Sequence, residues 1–578
     1  MLGSWLLVVF CVCLLFLFIR IQRPKNFPPG PRPIPIFGNL FQFNIKNPLK
    51  DFEKEAPCIL RLCSMMQHQI SSTWFCLALA MTMAMKPLKC TFGSILKTQS
   101  SLMDLGQWIQ RPKNLPPGPR PIPIFGNLFQ FNIKNPLKDF EKLAEQYGNI
   151  YSLYIGTKPA VVLNGLKVIR EALVTKSADF SGRPQNMLKD VTEGKGVIMA
   201  DYGRQWKEHR RFALMTLRNF GLGKQSMENR ILGEIEHLVA KLEKYAGSSM
   251  YPQTLFHDAA SNIIYLVLFG TRYDYGDETL KVYVRLYSEN AKLANGPWAM
   301  IYYALPILRS LPLPFKKAFD NYSTLKILTA NMINKHKTTR VPGKPRDLVD
   351  CYLDEIDKKD NESTFSEEQL LVYIINLHVA GTDTTSNTLL TSILYLMAHP
   401  DIQKRCQKEI DVVLEGNSQP SFEDRHNMPY TQAVVHECQR IARTAPLSVL
   451  HCTTRDTELM GYTIPKGTMI IPNLSSVLSE EGQWKFPHDF NPSNFLNEQG
   501  QFEKPEAFIP FSAGPRVCLG EGLARMELFL FLVTLLRRFQ FIWPEDAGEP
   551  DFTPIFGLTL TPKPYRMGVR LRQPAREK

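Results

Sequence analysis

From about residue 143 onward, apolar residues recur every three to four positions over long stretches, the spacing that lines one face of a helix. Three short apolar runs, at 151–155, 160–163 and 468–472, read as strands, and Pro465-Lys466-Gly467 is a turn signal just before the last. The pattern therefore predicts a mostly α fold with small β-sheets. Its clearest helix starts at Ser366-Glu367-Glu368-Gln369, a capping box, and its apolar positions continue to His399, where Pro400 stops it. Such a helix is roughly 50 Å long, enough to cross a whole domain. Its middle reads Ala380-Gly381-Thr382-Asp383-Thr384-Thr385. Gly alone costs about 1 kcal/mol against Ala in a helix, so this polar break needs a reason. A polar patch facing another helix or a buried water is one; a functional groove is the other.

The N-terminal region departs from this pattern. Residues 2–19 carry no charge, and Arg20, Arg23 and Lys25 follow at once. The run is at the short end of what spans a bilayer, and a positive flank favours the cytoplasmic side. No small-residue cleavage signal follows, so residues 1–20 read as an uncleaved transmembrane anchor rather than a removed signal peptide. Residues 21–54 recur at 109–142 with one change, Phe27 becoming Leu115. Two copies are too few for a stacked repeat architecture, and near-identity points to a recent duplication or a misjoined reading frame. The insert at 55–108 holds four of the eleven cysteines and six of the twenty methionines, and has no pattern of a packed fold. The second copy runs directly into the helical body, and its stiff Pro116-Pro117-Gly118-Pro119 element turns the chain onto that body. The expected organisation is thus an anchor at 1–20, a first proline-rich hinge at 21–54, an insert at 55–108 and a catalytic domain at 109–578.

Composition narrows the function. A net charge of +13 suits an anionic membrane surface or an acidic protein partner. With no zinc-finger pattern and no dense basic run interleaved with aromatics, the chain is not read as a nucleic-acid binder. Eleven scattered cysteines without a C-x-x-C pair suggest neither a disulfide framework nor a zinc site, and fit a reduced compartment.

One cysteine stands apart. Phe511-Ser-Ala-Gly514-Pro-Arg516-Val-Cys518-Leu-Gly520 combines a tight glycine–proline turn, a cation and a helix start. A cysteine just before a helix N-terminus feels the positive end of the helix dipole, which favours thiolate over thiol. This F-x-x-G-x-R-x-C-x-G segment resembles the haem-binding loop of the cytochrome P450 family, with Cys518 as the axial ligand of the iron and Phe511, Gly514 and Arg516 as cofactor-binding positions. The resemblance covers roughly residues 112–572. Glu437 and Arg440 resemble the family's structural E-x-x-R pair, with Asn494 where an arginine usually completes the brace. Trp206-Lys-Glu-His-Arg210 is similar to a W-x-x-x-R helix whose indole and guanidinium, Trp206 and Arg210, face a haem propionate. Arg183, His451 and Arg516 match further propionate partners. The polar break resembles the family's oxygen-binding groove, with Thr384 bonding dioxygen and Asp383 feeding protons.

That resemblance implies a cytochrome P450 fold behind a transmembrane anchor and haem b (iron protoporphyrin IX) as cofactor. It implies a microsomal family 2 enzyme with features of the X, D and J types. Asn376 stands where D-type members often carry an acid that anchors basic amines, so such a preference is not expected here. The implied reaction inserts one atom of O2 into apolar substrates such as fatty acids (arachidonate), steroids or xenobiotics, by hydroxylation or epoxidation. Electrons come from NADPH through a flavoprotein reductase, with cytochrome b5 as a second donor. The lipid bilayer is a partner, with the catalytic domain on the cytoplasmic face of the endoplasmic reticulum. The substrate pocket is expected from residues 183–200, 291–303, 445–450 and the long helix. Two alternatives remain: a haem-thiolate isomerase that needs no reductase, and an inactive membrane protein disrupted by the 88-residue insertion. The intact Asp383-Thr384 pair argues against the isomerase.

Overall fold

A computed structural model describes residues 114–122, 125–132, 135–219, 225–358, 362–415 and 419–572, all within the second of two units into which the chain divides, Gln107–Lys578. The expected anchor at 1–20, the first hinge copy at 21–54 and the insert at 55–108 lie outside the described residues. Among the described residues no helix is long and apolar enough to cross a membrane.

Eleven helices of ten or more residues make up most of the described body: α1 Leu137–Tyr147, α2 Arg204–Asn219, α3 Gln225–Glu243, α4 Gln253–Phe269, α5 Glu278–Asn295, α6 Lys316–Lys337, α7 Leu348–Asp357, α8 Glu367–Ala398, α9 Pro400–Val413, α10 Pro429–Ala442 and α11 Glu521–Arg538. Three small sheets accompany them. Strands β1 Ile150–Ile155, β2 Lys158–Leu163, β4 His451–Cys452 and β7 Met469–Pro472 form one sheet in the order β1-β2-β7-β4, parallel only between β2 and β7. Strands β3 Ser249–Met250, β9 Met567–Leu571 and β8 Phe539–Ile542 form a second sheet in that spatial order, and β5 Thr457–Leu459 with β6 Tyr462–Ile464 a hairpin. Met460 and Gly461, the two residues of the hairpin turn, both have positive φ, the backbone that such a tight connection demands.

Helix α8 is the axis of the fold. Leu370, Tyr373, Leu389, Leu390, Ile393 and Leu396 are fully buried along its length, which fits a helix covered on several faces rather than one. Its N-cap forms as expected, with the Ser366 hydroxyl accepting the Gln369 N–H at 3.2 Å. The reciprocal half of the capping box does not form. The Gln369 side chain instead holds both main-chain groups of Gly196, at 3.2 Å each, because a buried amide satisfies more of its bonding capacity there than at a helix end. The helix runs unbroken through the polar segment. Thr384, Thr388 and Ser392 each donate a hydroxyl to the carbonyl four residues back, at 2.6–2.7 Å, so these groups are satisfied within the helix itself. Gly381 has a packing reason: a Cβ there would run into the Ile264 side chain of α4, the helix packed most closely along α8.

The second hinge copy is tied to the sheets. Ser152 of β1 donates its N–H to Pro117 O at 2.7 Å and its hydroxyl to Pro116 O at 2.6 Å, and Thr463 N–H reaches Asn114 O at 2.9 Å. Leu115, the position that differs between the copies, is buried.

Candidate active site

The loop before α11 owes its shape to Gly514. This residue has φ +72°, and a Cβ on it would collide with the Leu173 carbonyl oxygen. A short turn over Gly514–Arg516 follows, and the Cys518 N–H closes the loop on Phe511 O at 2.9 Å. The Phe511 ring lies 5.5 Å from the Arg525 guanidinium. The N–H groups of Gly520 and Glu521, at the start of α11, point at the Cys518 sulfur, and the Arg210 guanidinium stands near it. Burial nevertheless pushes the Cys518 thiol above its ordinary value, and these donors offset only part of the shift. Helix-end stabilisation, which the sequence suggested would favour the thiolate, is outweighed by desolvation in the protein alone. A coordinated metal cation in front of the sulfur would reverse that balance, since a coordinating thiol is deprotonated outright. The sulfur is well placed for one: Cys518 lies deep in the domain, yet its own surface is uncovered. Ala380 is uncovered as well, in the middle of α8, whose other exposed residues are Glu367 and Glu368 at its start.

Three basic side chains gather nearby, and the one carboxylate that acts on Arg516, Asp201, is itself paired with Lys189. Arg516 donates to Ser181 O (3.0 and 3.1 Å) and Ala200 O (2.8 Å), and its Nη1 is buried with no hydrogen-bond partner. Burial pushes its pKa down to about 10. Arg183 donates to the carbonyls of Ile198, Val449 and Leu450 at 2.8–2.9 Å, and burial together with the Arg516 charge lowers its pKa strongly. Neither arginine forms an ion pair among the described residues. His451 donates Nδ1–H to Phe180 O at 2.7 Å, and burial and the Arg183 charge hold it neutral, leaving Nε2 without a proton. Two buried guanidiniums side by side are unfavourable unless an anion joins them. The two carboxylates of a haem fit this set, and would also restore a proton to His451 Nε2.

Trp206 and Arg210 on α2 reach the same region, with other immediate partners. The Trp206 indole N–H donates to Val197 O at 3.0 Å rather than standing free, and its ring lies 4.2 Å from the Arg516 guanidinium and 5.5 Å from that of Arg210. Arg210 donates to Val517 O at 2.6 Å, bracing the cysteine loop.

Glu437 and Arg440 of α10 are fully buried and joined by two bonds of 2.7 and 2.8 Å. Arg440 also donates to the carbonyls of Leu478, Phe486, Pro487 and Asp489. Asn494 completes the brace, donating to both Glu437 oxygens at 3.2 and 3.3 Å.

A model of the family described as Cytochrome P450 matches residues 116–569, beginning inside the second hinge copy. The chain belongs to the cytochrome P450 family. Cytochrome P450 2F2 of Mus musculus is 41% identical over 463 residues, covering 79% of this chain and 94% of that protein. Cytochrome P450 2D15 of Canis lupus familiaris is 43% identical over 464 residues, covering 79% and 93%. Vitamin D(3) 25-hydroxylase of Sus scrofa is 43% identical over 459 residues, covering 78% and 92%. These similarities make the chain a family 2 cytochrome P450 and a monooxygenase, with haem as its cofactor. The 2F and 2D relatives are too evenly matched to select a subfamily.

The domain also encloses an apolar cavity of about 150 Å3, whose walls include none of Cys518, Arg516, Arg183 and His451. Its walls include Met187, Met199, Met300, Tyr303, Leu447 and Leu450, within the expected segments. They also include Phe131, Leu153, Met469 and Phe556, which the sequence did not point to. Helix α8 contributes no wall residue, contrary to expectation. Its Asn376 is used structurally: Oδ1 accepts the N–H groups of Val197 and Ile198 at 3.1 Å each, so the amide pins the preceding loop rather than facing a ligand.

Thr384 and Asp383 lie on α8 with different surroundings. The Thr384 hydroxyl donates to Ala380 O. Asp383 accepts from His257 at 3.4 Å and closely from the Thr559 hydroxyl, and it is also bonded to Tyr287. No motif marks His257, Tyr287 or Thr559, each of which is separated from Asp383 by many residues.

Proposed function

We propose that this chain oxidises small apolar molecules with electrons delivered from NADPH by a flavoprotein reductase. Cys518 would hold the iron, while Arg183, His451 and Arg516 would hold the haem carboxylates. The observation that carries this assignment is the orphaned, buried Nη1 of Arg516 beside a second buried guanidinium, within the loop that presents Cys518. When bound, haem supplies dioxygen activation and the oxidation itself. The chain's own residues do the rest. Arg210 and the α11 N–H groups orient the sulfur, Asp383 moves a proton at its carboxylate, and the Thr384 hydroxyl steers it within the groove. The intact Asp383-Thr384 pair supports oxygen insertion over rearrangement.

The substrate reading rests on the cavity lining, which offers aliphatic, methionine and aromatic surface and few polar groups. Fatty acids such as arachidonate, steroids and apolar xenobiotics have that chemistry, as does the vitamin D3 named for the porcine relative. The reductase reading is supported by α2, where Lys207, Arg211 and Arg218 are exposed on the helix that also carries Arg210, a basic surface suited to an acidic electron donor such as the reductase or cytochrome b5. The uncharged run at 2–19 with its basic flank supports an anchor in the endoplasmic reticulum membrane, catalytic domain on the cytoplasmic face. The test is a reduced, carbon-monoxide difference spectrum together with product analysis in membranes containing the reductase. A Soret band at about 450 nm and NADPH-dependent product are expected. A band displaced to shorter wavelength in fresh protein would rule out Cys518 thiolate ligation.

A further inference from the structure

Asp383 is an unusual acid in its surroundings. Its carboxylate collects donors from three separate parts of the fold: His257 Nε2 on α4, the Tyr287 hydroxyl on α5 and the Thr559 hydroxyl near the C-terminus. Burial alone would raise its pKa, but the bonds from His257 and Thr559 more than offset this and hold it below the usual carboxylate range. A carboxylate so held has no proton of its own to give near neutral pH. His257 does. Its Nδ1–H is donated to Gln253 O at 2.9 Å, so a bond from Nε2 to the carboxylate requires a second ring proton. Burial opposes that charge, but the bond to Asp383 and the Asp383 charge outweigh it and raise the imidazole pKa. The other ionisable groups around the pair are Asp258 on α4, which accepts Gly276 N–H and has Lys281 of α5 nearby, and Tyr287 of α5. His378 of α8 is bonded to Ser261 and kept neutral by burial.

We propose that His257 is the positioning and proton-supplying residue for the oxygen groove, acting through Asp383. The Nε2–H bond breaks, the proton forms an O–H bond at Asp383 Oδ1, and the ion pair becomes a neutral imidazole and a carboxylic acid. The acid then releases its proton toward the Thr384 side while solvent returns one to Nε2, so the pair regains its charges and one proton has moved inward. His257 retains 18% of its side-chain surface, which gives solvent its access. The inference rests on the proposed role of Asp383 and adds the source of the proton.

The test compares wild type, His257→Gln and Asp383→Asn in the full-length haem-loaded protein with reductase. Product formed per NADPH, peroxide release and thermal midpoint are each measured from pH 6 to 9. Carbon-monoxide and substrate-binding spectra serve as controls and should match wild type in His257→Gln. That variant should lose coupling by about tenfold, less than the roughly 10²–10⁴-fold of a general acid that acts directly, because His257 acts through Asp383. Wild-type coupling should fall as pH rises through the elevated histidine pKa, and the variant should show no such fall. The thermal midpoint gives a readout independent of turnover. The His257 contribution is fully present below the unfolded histidine pKa and lost as pH rises through the folded one, so the wild-type advantage should shrink toward pH 9 and vanish in the Asp383→Asn background. A lowered midpoint with an unchanged pH profile of coupling would show that His257 only supports the structure, overturning the proposal. If Asp383→Asn uncouples and His257→Gln does not, the proton source is wrong and the Asp383 reading stands; if Asp383→Asn stays coupled, both fall.

Discussion

Asn494 places its amide against both oxygens of Glu437, at 3.2 and 3.3 Å, while its own oxygen accepts the Phe486 N–H at 2.9 Å. A neutral amide suffices there, because Arg440 supplies the countercharge and Asn494 has only to satisfy the remaining acceptor sites. Asn494→Ala should lower stability by about 1–3 kcal/mol, the cost of leaving a buried acceptor unpaired. Arg440→Ala should cost about 3–5 kcal/mol or prevent haem incorporation, since it strands a buried carboxylate. Denaturant midpoints and haem content per chain measure both, and equal losses in the two variants would contradict this division of roles.

Cys518→Ser should abolish the band at about 450 nm and all oxidation, because a neutral hydroxyl is a far poorer iron ligand than a thiolate. Cys438 provides the contrast. It is buried in the core within the E-x-x-R segment, and burial pushes its thiol up to about 12, so it packs as a small apolar group. Cys438→Ala should keep the spectrum and lose only modest stability. Turnover surviving in Cys518→Ser would move the ligand elsewhere.

Thr384→Ala removes a hydroxyl that donates to its own helix, at Ala380 O. Stability should change by no more than about 0.5 kcal/mol, as for a substitution that breaks no tertiary contact. Haem and substrate binding should persist, while NADPH consumption uncouples from product and releases peroxide. A variant that remains fully coupled would remove Thr384 from the proton path.

Glu527 of α11 is buried against Thr385 of α8, and desolvation raises its pKa to about 8. Its folded pKa lies above the unfolded one, so the folded state binds the extra proton and loses stability as pH rises from about 4.5 toward 8. Glu527→Gln is permanently neutral and escapes that loss. Its gain over wild type should be small at pH 5 and larger at pH 8, on the order of a few kcal/mol. Thermal midpoints at the two pH values decide it; a gain that does not grow with pH would mean that Glu527 ionises normally in the fold.

Deleting residues 21–108 joins Arg20 to Ile109 and leaves one hinge copy before the catalytic domain. Every residue assigned to the haem site lies beyond the deleted stretch, and the family match begins at residue 116. The shortened chain should express as well or better, bind haem fully and oxidise the same substrates. Haem per chain and membrane fractionation are the measurements. Loss of haem would make the insert structural, and loss of membrane association would give it an anchoring role.

The sequence by itself determined what depends on neighbours a few positions apart. The cysteine loop is legible because its glycine, arginine and cysteine must stand at fixed separations to make one turn, and α8 is legible because Ser366 and Pro400 bound a long apolar period. The three strand runs are legible for the same reason. Periodicity says that a face is buried and leaves open what buries it. Only the tertiary structure decided that Gly381 makes room for Ile264, that Gln369 leaves its cap for Gly196, and that Asn376 holds a loop. The same holds for the gathering of Arg183, His451 and Arg516, and for the bond between His257 and Asp383. Each joins residues far apart along the chain, and their meeting follows from the packing of whole helices and sheets, which no local spacing encodes.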